Sequence, residues 1–309
     1  MTSLRDHGGG LDAAITTYGG TRSEWLDLST GINPNSYSPS AGSLDAWTRL
    51  PDTNAAQRLE RAAREFWSVP ATATVIAAPG ASALIARMPE LAPDGPAYIP
   101  IPTYNEHAAS FERYRGVSDD QTSATHVYVH PNNPDGRWWS DTSPASLTIF
   151  DESFCDIAPT RSHVGRTAAP GVIVLKSFGK FWGLAGLRLG FAIGHPETLA
   201  GLSDQLGPWP VSGPALEIGA QALEDFKWAE ATRLRLAEDR QRLDALMQHH
   251  GSVIGGTDLF GLYDVGDATA FQTRLAHAKI WTRIFPYSEA WIRIGLPSRT
   301  GWSHLEAAL

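Results

Sequence analysis

The chain has a single cysteine, Cys155, so no internal disulfide can form. A reducing cytoplasm is the expected setting. No apolar stretch approaches the roughly 18 residues that a membrane span needs. The opening MTSLRDHGGG has no apolar centre of the kind a secretory signal carries. Neither GxGxxG nor GxxxxGK[ST] opens a helix after a strand, which argues against a dinucleotide or P-loop site. HExxH and CxxC are absent too, and the ten histidines are scattered, so no metal is expected. Positive charge is short: 25 basic residues face 33 acidic ones, for a net charge of -8. That weighs against nucleic acid and anionic membranes as partners. It leaves small anions open, since they respond to local charge. Lysine is the scarcest of the charged types. Only Lys176, Lys180, Lys227 and Lys279 occur, against 21 arginines, so a lysine inside a motif carries information.

What is present suits a globular α/β protein. The 309 residues suggest one large domain and a smaller one. Residues 1–40 are rich in Gly, Ser, Thr, Asn and Pro; HGGG, TYGG and TGINPNS read as loops rather than a packed element. The spacing of Leu59, Ala62, Ala63 and Phe66 predicts a helix over 53–67. Short apolar runs then alternate with turn signals. ATVIAAPG, THVYVH, SLTIFDES, GVIVLKSFG and LRLGFAIG read as strands, and ALIARMPEL starts as a helix. Residues 215–250 read as two helices closed by Gly251, and the last sixty residues as a second αβ unit. Strands with helices between them predict a mostly parallel sheet covered on both faces, with ligands at the carboxyl ends of its strands.

Four segments sit at such strand ends. The first is Ser177-Phe-Gly-Lys180, followed by Arg188. A lysine on a Gly-flanked loop can be desolvated, which frees its neutral amine for imine formation. Ser177 and Arg188 can converge on one phosphate, and the planar arginine fork suits that role. The second is Asp151 at the end of LTIF, a buried acid that calls for a cationic partner such as a protonated ring nitrogen. The third is His130-Pro-Asn132-Asn133-Pro134, a turn that presents an amide. The fourth is Pro79-Gly80-Ala81-Ser82, a strand-to-helix junction that suits an anion. Each has a plainer reading alone: a surface lysine, a metal-ligand pair or helix cap, an ordinary turn, an ordinary cap. Their order and shared placement favour the joint reading.

Together these segments resemble the aspartate-aminotransferase superfamily of pyridoxal-phosphate (PLP) enzymes, over about residues 25–300. The resemblance implies fold type I: a seven-stranded, mostly parallel sheet with helices on both faces, plus a small αβ domain. It implies a homodimer and a division into an N-terminal segment (1–40), a large PLP-binding domain (41–215) and a small domain (216–309). It assigns Lys180 as the Schiff-base lysine and Ser177, Arg188, Ala81 and Ser82 to the cofactor phosphate. Asp151 would meet the pyridine nitrogen, Asn133 the ring O3′ and Tyr104 the ring face. Arg293, in WIRIGLP, would bind the substrate carboxylate. Lys176 competes with Lys180, but its spacing to Ser177 and Arg188 does not fit. Two positions depart from the family. Phe154 stands where a tyrosine often donates to O3′. Leu50 precedes Pro51-Asp52 where a tyrosine often reaches the neighbouring subunit.

These motifs give the cofactor and leave the reaction open. Asp6-His7-Gly8-Gly9-Gly10 and Leu28-Ser-Thr-Gly31-Ile-Asn33-Pro34 resemble the opening of cobalamin-biosynthetic threonine-phosphate decarboxylases. On that reading, His7, Gly8, Gly9 and Arg283 take the substrate phosphate, while Arg293 and Asn33 take its carboxylate. The expected reaction converts L-threonine O-3-phosphate to (R)-1-amino-2-propanol O-2-phosphate. A histidinol-phosphate type of aminotransferase is the first alternative. A non-catalytic PLP-binding partner of corrinoid-amidating machinery is the second.

Overall fold

The structure is a computed structural model that describes residues 7–40 and 43–309. Asp6, part of the N-terminal motif, lies outside the described residues. The strands, in chain order, are β1 (Leu26–Asp27), β2 (Thr74–Ala78), β3 (Ala97–Tyr98), β4 (Val117–Ser118), β5 (Thr125–Val129), β6 (Leu147–Asp151), β7 (Val172–Ser177), β8 (Gly190–Gly194), β9 (Ser252–Thr257), β10 (Phe260–Asp264), β11 (Ile280–Trp281), β12 (Arg283–Phe285) and β13 (Ser288–Gly295). The chain divides into two compact units. One is Ser36–Asn133 with Arg137–Ala231. The other is Met1–Asn35, Pro134–Gly136 and Thr232–Leu309. The boundaries fall at 35/36 and 231/232, against 40/41 and 215/216 read from sequence.

The larger unit holds a seven-stranded sheet in the order β2-β8-β7-β6-β5-β3-β4. The pairs from β4 through β7 are parallel, and β8 runs antiparallel to both β7 and β2. Strands β5, β6 and β8 are buried throughout, and β7 along all but its last residue. Their Val, Ile and Phe content suits a sheet covered on both faces. One face packs on Leu84, Met88, Phe111 and Leu202. The helix Thr53–Phe66 is capped by Asp52, whose side chain accepts from Ala55 N, and buries Leu59, Ala62 and Ala63. The expected helix after Gly80 is two short ones, Ala81–Ile85 and Met88–Leu91. Pro89 lacks an N–H to continue a single helix and sits in the first turn of the second.

The smaller unit holds a four-stranded antiparallel sheet, β12-β13-β10-β9, and a parallel pair, β1 with β11. The 215–250 stretch holds two helices: Gly213–Glu224 belongs to the larger unit, and Phe226–Met247 starts there and continues past Ala231 into the smaller one; Gly251 N donates to Met247 O at 3.0 Å. The loop reading of the N-terminus needs one correction. Leu11–Tyr18 is a helix, with Leu11 and Ala14 buried beside Trp25 and Ala276. Leu11, Ala14, Ile15 and Tyr18 have helical spacing, but the glycines on either side obscured it. Among the described residues no helix is long and apolar enough to cross a membrane.

Candidate active site

In the larger unit the singled-out residues gather at one end of the sheet. Asp151 closes β6 and is 2% exposed. Its Oδ1 accepts from Ser153 N at 3.0 Å and Ser153 Oγ at 2.5 Å. Its Oδ2 lies 2.9 Å from His107 Nε2. An ionised carboxylate can only accept, so His107 donates. Burial opposes ionisation, but the bonds from His107 and Ser153 outweigh it and hold this carboxyl below the usual range. The sequence reading missed His107. Its signal was position: it stands three residues after Tyr104, on the first turns of the helix Asn105–Tyr114.

Lys180 follows β7 on a tight turn in which Gly183 N donates to Lys180 O at 3.1 Å. Its Nζ lies 5.2 Å from the ring centre of Phe154, the residue that replaces the family's tyrosine. Lys176, the competing lysine, is 1% exposed and turned away. Its Nζ meets Glu152 Oε2 at 2.7 Å and Asp156 Oδ1 at 3.4 Å. Burial alone would lower its pKa, but those two acids reverse the direction and keep it an ammonium. Glu152 also accepts from Ser162 Oγ and His163 N. His130 and Cys155 lie close to Glu152, so these three could suit a metal, but the Lys176 ammonium already supplies the positive charge there.

Three segments converge beside Lys180 because of the register. Gly190, at the start of β8, pairs with Ser177 of β7 on one side and Ala78 of β2 on the other. Gly80 has φ +88, and a Cβ there would lie 2.7 Å from Arg188 Nη2. A Cβ at Gly190 would lie 2.4 Å from Ala81 N. The turn before Ala81 and Ser82 therefore rests directly on β8 and the Arg188 guanidinium. Ser177 Oγ accepts from Gly179 N at 3.2 Å. Asn132 is structural: its side chain donates to Pro102 O at 3.0 Å and accepts from Thr103 Oγ1 at 2.6 Å. Asn133 is half-buried beside it, and Tyr104 packs its ring edge-on to His107 at 6.1 Å.

A second group gathers in the smaller unit. Arg283 of β12 stands directly opposite Arg293 of β13. Like charges in that position repel. Arg293 is 5% exposed, and burial together with Arg283 pushes its pKa down to about 10. Its Nη2 donates to Ser29 O at 2.8 Å, and its guanidinium lies 5.0 Å from the Phe260 ring centre. Gly8 passes the same carbonyl: a Cβ there would lie 2.5 Å from Ser29 O and 3.6 Å from Arg293 Nη2. Gly9 N donates to Ser29 Oγ at 2.7 Å, and His7 is exposed. Asn33 is 2% exposed, and its Oδ1 accepts from Arg235 Nη2 at 2.9 Å and Asn35 N at 3.0 Å. That fixes which way the amide points. Arg235 and Ser29, like His107, were not singled out from sequence.

The sequence pattern of the family described as "Aminotransferase class I and II" matches residues 141–305. A threonine-phosphate decarboxylase of Sinorhizobium sp is 38% identical over 98% of this chain and 97% of its own length. One of Pseudomonas aeruginosa is 36% identical over 99% of this chain and 97% of its own. Among solved structures, the histidinol-phosphate aminotransferase of Sinorhizobium meliloti, in complex with pyridoxal-5'-phosphate, superposes with a TM-score of 0.80 at 20% identity. That match covers 99% of this chain and 94% of that one, and it establishes the shared fold. The chain belongs to the class I and II aminotransferase family, in the branch that holds the threonine-phosphate decarboxylases.

Proposed function

We propose that the chain is a PLP-dependent lyase that decarboxylates L-threonine O-3-phosphate to (R)-1-amino-2-propanol O-2-phosphate, a step of cobalamin biosynthesis in the cytoplasm. The observation that carries this reading is the cross-strand pair of Arg283 and Arg293 with the glycine strap against it. Two arginines forced face to face are stabilised by a multiply charged anion, and this substrate brings a phosphate and a carboxylate. The near full-length likeness to two threonine-phosphate decarboxylases supports the same substrate.

The residues of the larger unit fit PLP. The Gly80 turn closes on Arg188 as a cradle that a side chain would fill, and Asp151 is a buried acid held ionised. When bound, PLP supplies an electron sink for the pair left when a bond to the substrate's Cα breaks. The rest is the chain's work. Ser177, Arg188, Ala81 and Ser82 hold the cofactor phosphate. Asp151 holds the proton on the pyridine nitrogen. Asn133 donates to O3′, unaided by Phe154, and Tyr104 covers the ring face. Lys180 Nζ would carry the cofactor, and either Lys180 or water would return a proton to Cα. His7, Gly8, Gly9 and Arg283 take the substrate phosphate, and Arg293 and Asn33 orient the carboxylate.

Exposed apolar side chains support a homodimer: Leu44, Trp47 and Leu50 are 76%, 71% and 67% exposed within one short stretch. Family membership also favours a second reading, an aminotransferase. One experiment separates the two. Purified enzyme mixed with L-threonine O-3-phosphate releases stoichiometric carbon dioxide over many turnovers if it is the decarboxylase. Accumulated pyridoxamine phosphate, discharged only by a 2-oxo acid, would overturn that assignment.

A further inference from the structure

We propose that Ser29, with Asp27 behind it, is the positioning residue that sets the preference for a phosphorylated substrate, by locking the Gly8–Gly10 strap to Arg293. The inference rests on the threonine-phosphate reading above and adds the residues that make its anion site rigid.

Ser29 is 1% exposed, and each of its polar groups is engaged. Its N–H and its hydroxyl both donate to Asp27 Oδ1, at 2.9 Å and 2.6 Å. The single hydroxyl proton thus faces Asp27, so Oγ can only accept on its other side. There it accepts from Gly9 N at 2.7 Å. The carbonyl accepts from Arg293 Nη2 at 2.8 Å. One residue therefore ties the strap to the buried guanidinium.

The anchor beneath it is firm. Leu28 N donates to Trp281 O at 2.7 Å, and Gly295 N donates to Leu28 O at 2.8 Å. Ser29 is thereby fixed to β11 and to the end of β13, the strand that carries Arg293. Gly8 lies against Ser29 O too closely for any side chain. The strap's distance from the guanidinium is set at that carbonyl. A substrate whose phosphate meets the strap and whose carboxylate meets Arg293 must fit a gap whose width Ser29 determines. Ser29 does not touch the substrate itself, so its loss weakens binding while leaving the reacting atoms in place.

The test uses the holoenzyme and the variants Ser29→Ala, Asp27→Ala and Asp27→Asn. Steady-state kinetics with L-threonine O-3-phosphate are followed alongside amide exchange over Gly8–Gly10, with and without inorganic phosphate. Ser29→Ala and Asp27→Ala are expected to raise KM about 10-fold, the scale of one lost hydrogen bond, with kcat within about 2-fold. Asp27→Asn keeps an acceptor for the Ser29 hydroxyl and restores most of the affinity lost in Asp27→Ala. Exchange over Gly8–Gly10 accelerates in Ser29→Ala, and protection by inorganic phosphate disappears. Unchanged KM and exchange in Ser29→Ala would overturn the proposal. So would a fall in kcat and melting temperature at constant KM, which marks a purely structural role. If the wild-type enzyme released no carbon dioxide, the proposed reaction would fail. The exchange measurements would still decide Ser29.

Discussion

The indole N–H of Trp182 donates to Asp156 Oδ2 at 3.1 Å, so a buried acid holds a ring two residues beyond Lys180. The same acid accepts from Trp67 Nε1 at 2.9 Å. Trp182 also stacks on Phe178 and Trp228 at 5.2 Å and 5.3 Å. Trp182→Phe keeps the stack and removes the donor. It is expected to cost about 1–3 kcal/mol in urea denaturation, the penalty for a buried acceptor left short of a partner. Cofactor retention on gel filtration should fall with it. Stability equal to wild type would show that the bond contributes nothing.

Lys176→Met leaves Glu152 and Asp156 buried without their cation. The expected loss is about 3–5 kcal/mol, because breaking one side of a buried pair costs more than removing both. Adding Glu152→Gln should recover part of it, a coupling that a double-mutant cycle measures. The folded fraction of Lys176→Met should still form the cofactor's visible absorbance band. Lys180→Ala should not.

Asp151 gives a pH prediction. Its folded carboxyl titrates below its unfolded value, so the stability it contributes is present above about pH 4 and is lost as pH falls through the folded value. His107→Phe removes the donor to Oδ2 and moves the folded value up. Melting temperatures followed between about pH 3 and 6 should then start to fall at a higher pH than in wild type. Cofactor affinity should drop about 10-fold, in line with a weakened charge-assisted bond. Superimposable melting profiles would remove His107 from this role.

Arg283→Met relieves the repulsion with Arg293. The ligand-free variant should be more stable than wild type by up to about 1 kcal/mol, while its affinity for L-threonine O-3-phosphate falls. Inorganic phosphate should raise the melting temperature of wild type and leave the variant nearly unmoved. A variant that loses stability and keeps its affinity would contradict an anion-binding pair.

The strand-end placement of Asp151, Ser177 and Ala81 was legible because each follows a short apolar run that cannot be mistaken for a surface segment. The mostly parallel sheet was legible for the same reason. His107 was not, because a histidine on a helix face has many ordinary uses and its partner is 44 residues away in sequence. The Asn33–Arg235 bond spans 202 residues, and Arg293 reaches Ser29 across 264. No local pattern encodes such pairs. The helix Leu11–Tyr18 failed differently: its signal was present, but Gly-rich flanks suggested loop. Lys176 was set aside by spacing alone, and the ion pairs that occupy it emerged only in three dimensions.

The reversal of β8 has a consequence for how this region can vary. Because β8 starts where β7 and β2 end, the chain leaves at Ser177 and must be back at Gly190, with Arg188 just before it. A parallel β8 would carry Arg188 to the far edge of the sheet, about 17 Å away at the rise of a strand. The loop bearing Lys180 is thus moored at both ends and cannot change length. One inserted or deleted residue would separate the anion ligands or shift the lysine, so this stretch should tolerate substitution far better than insertion.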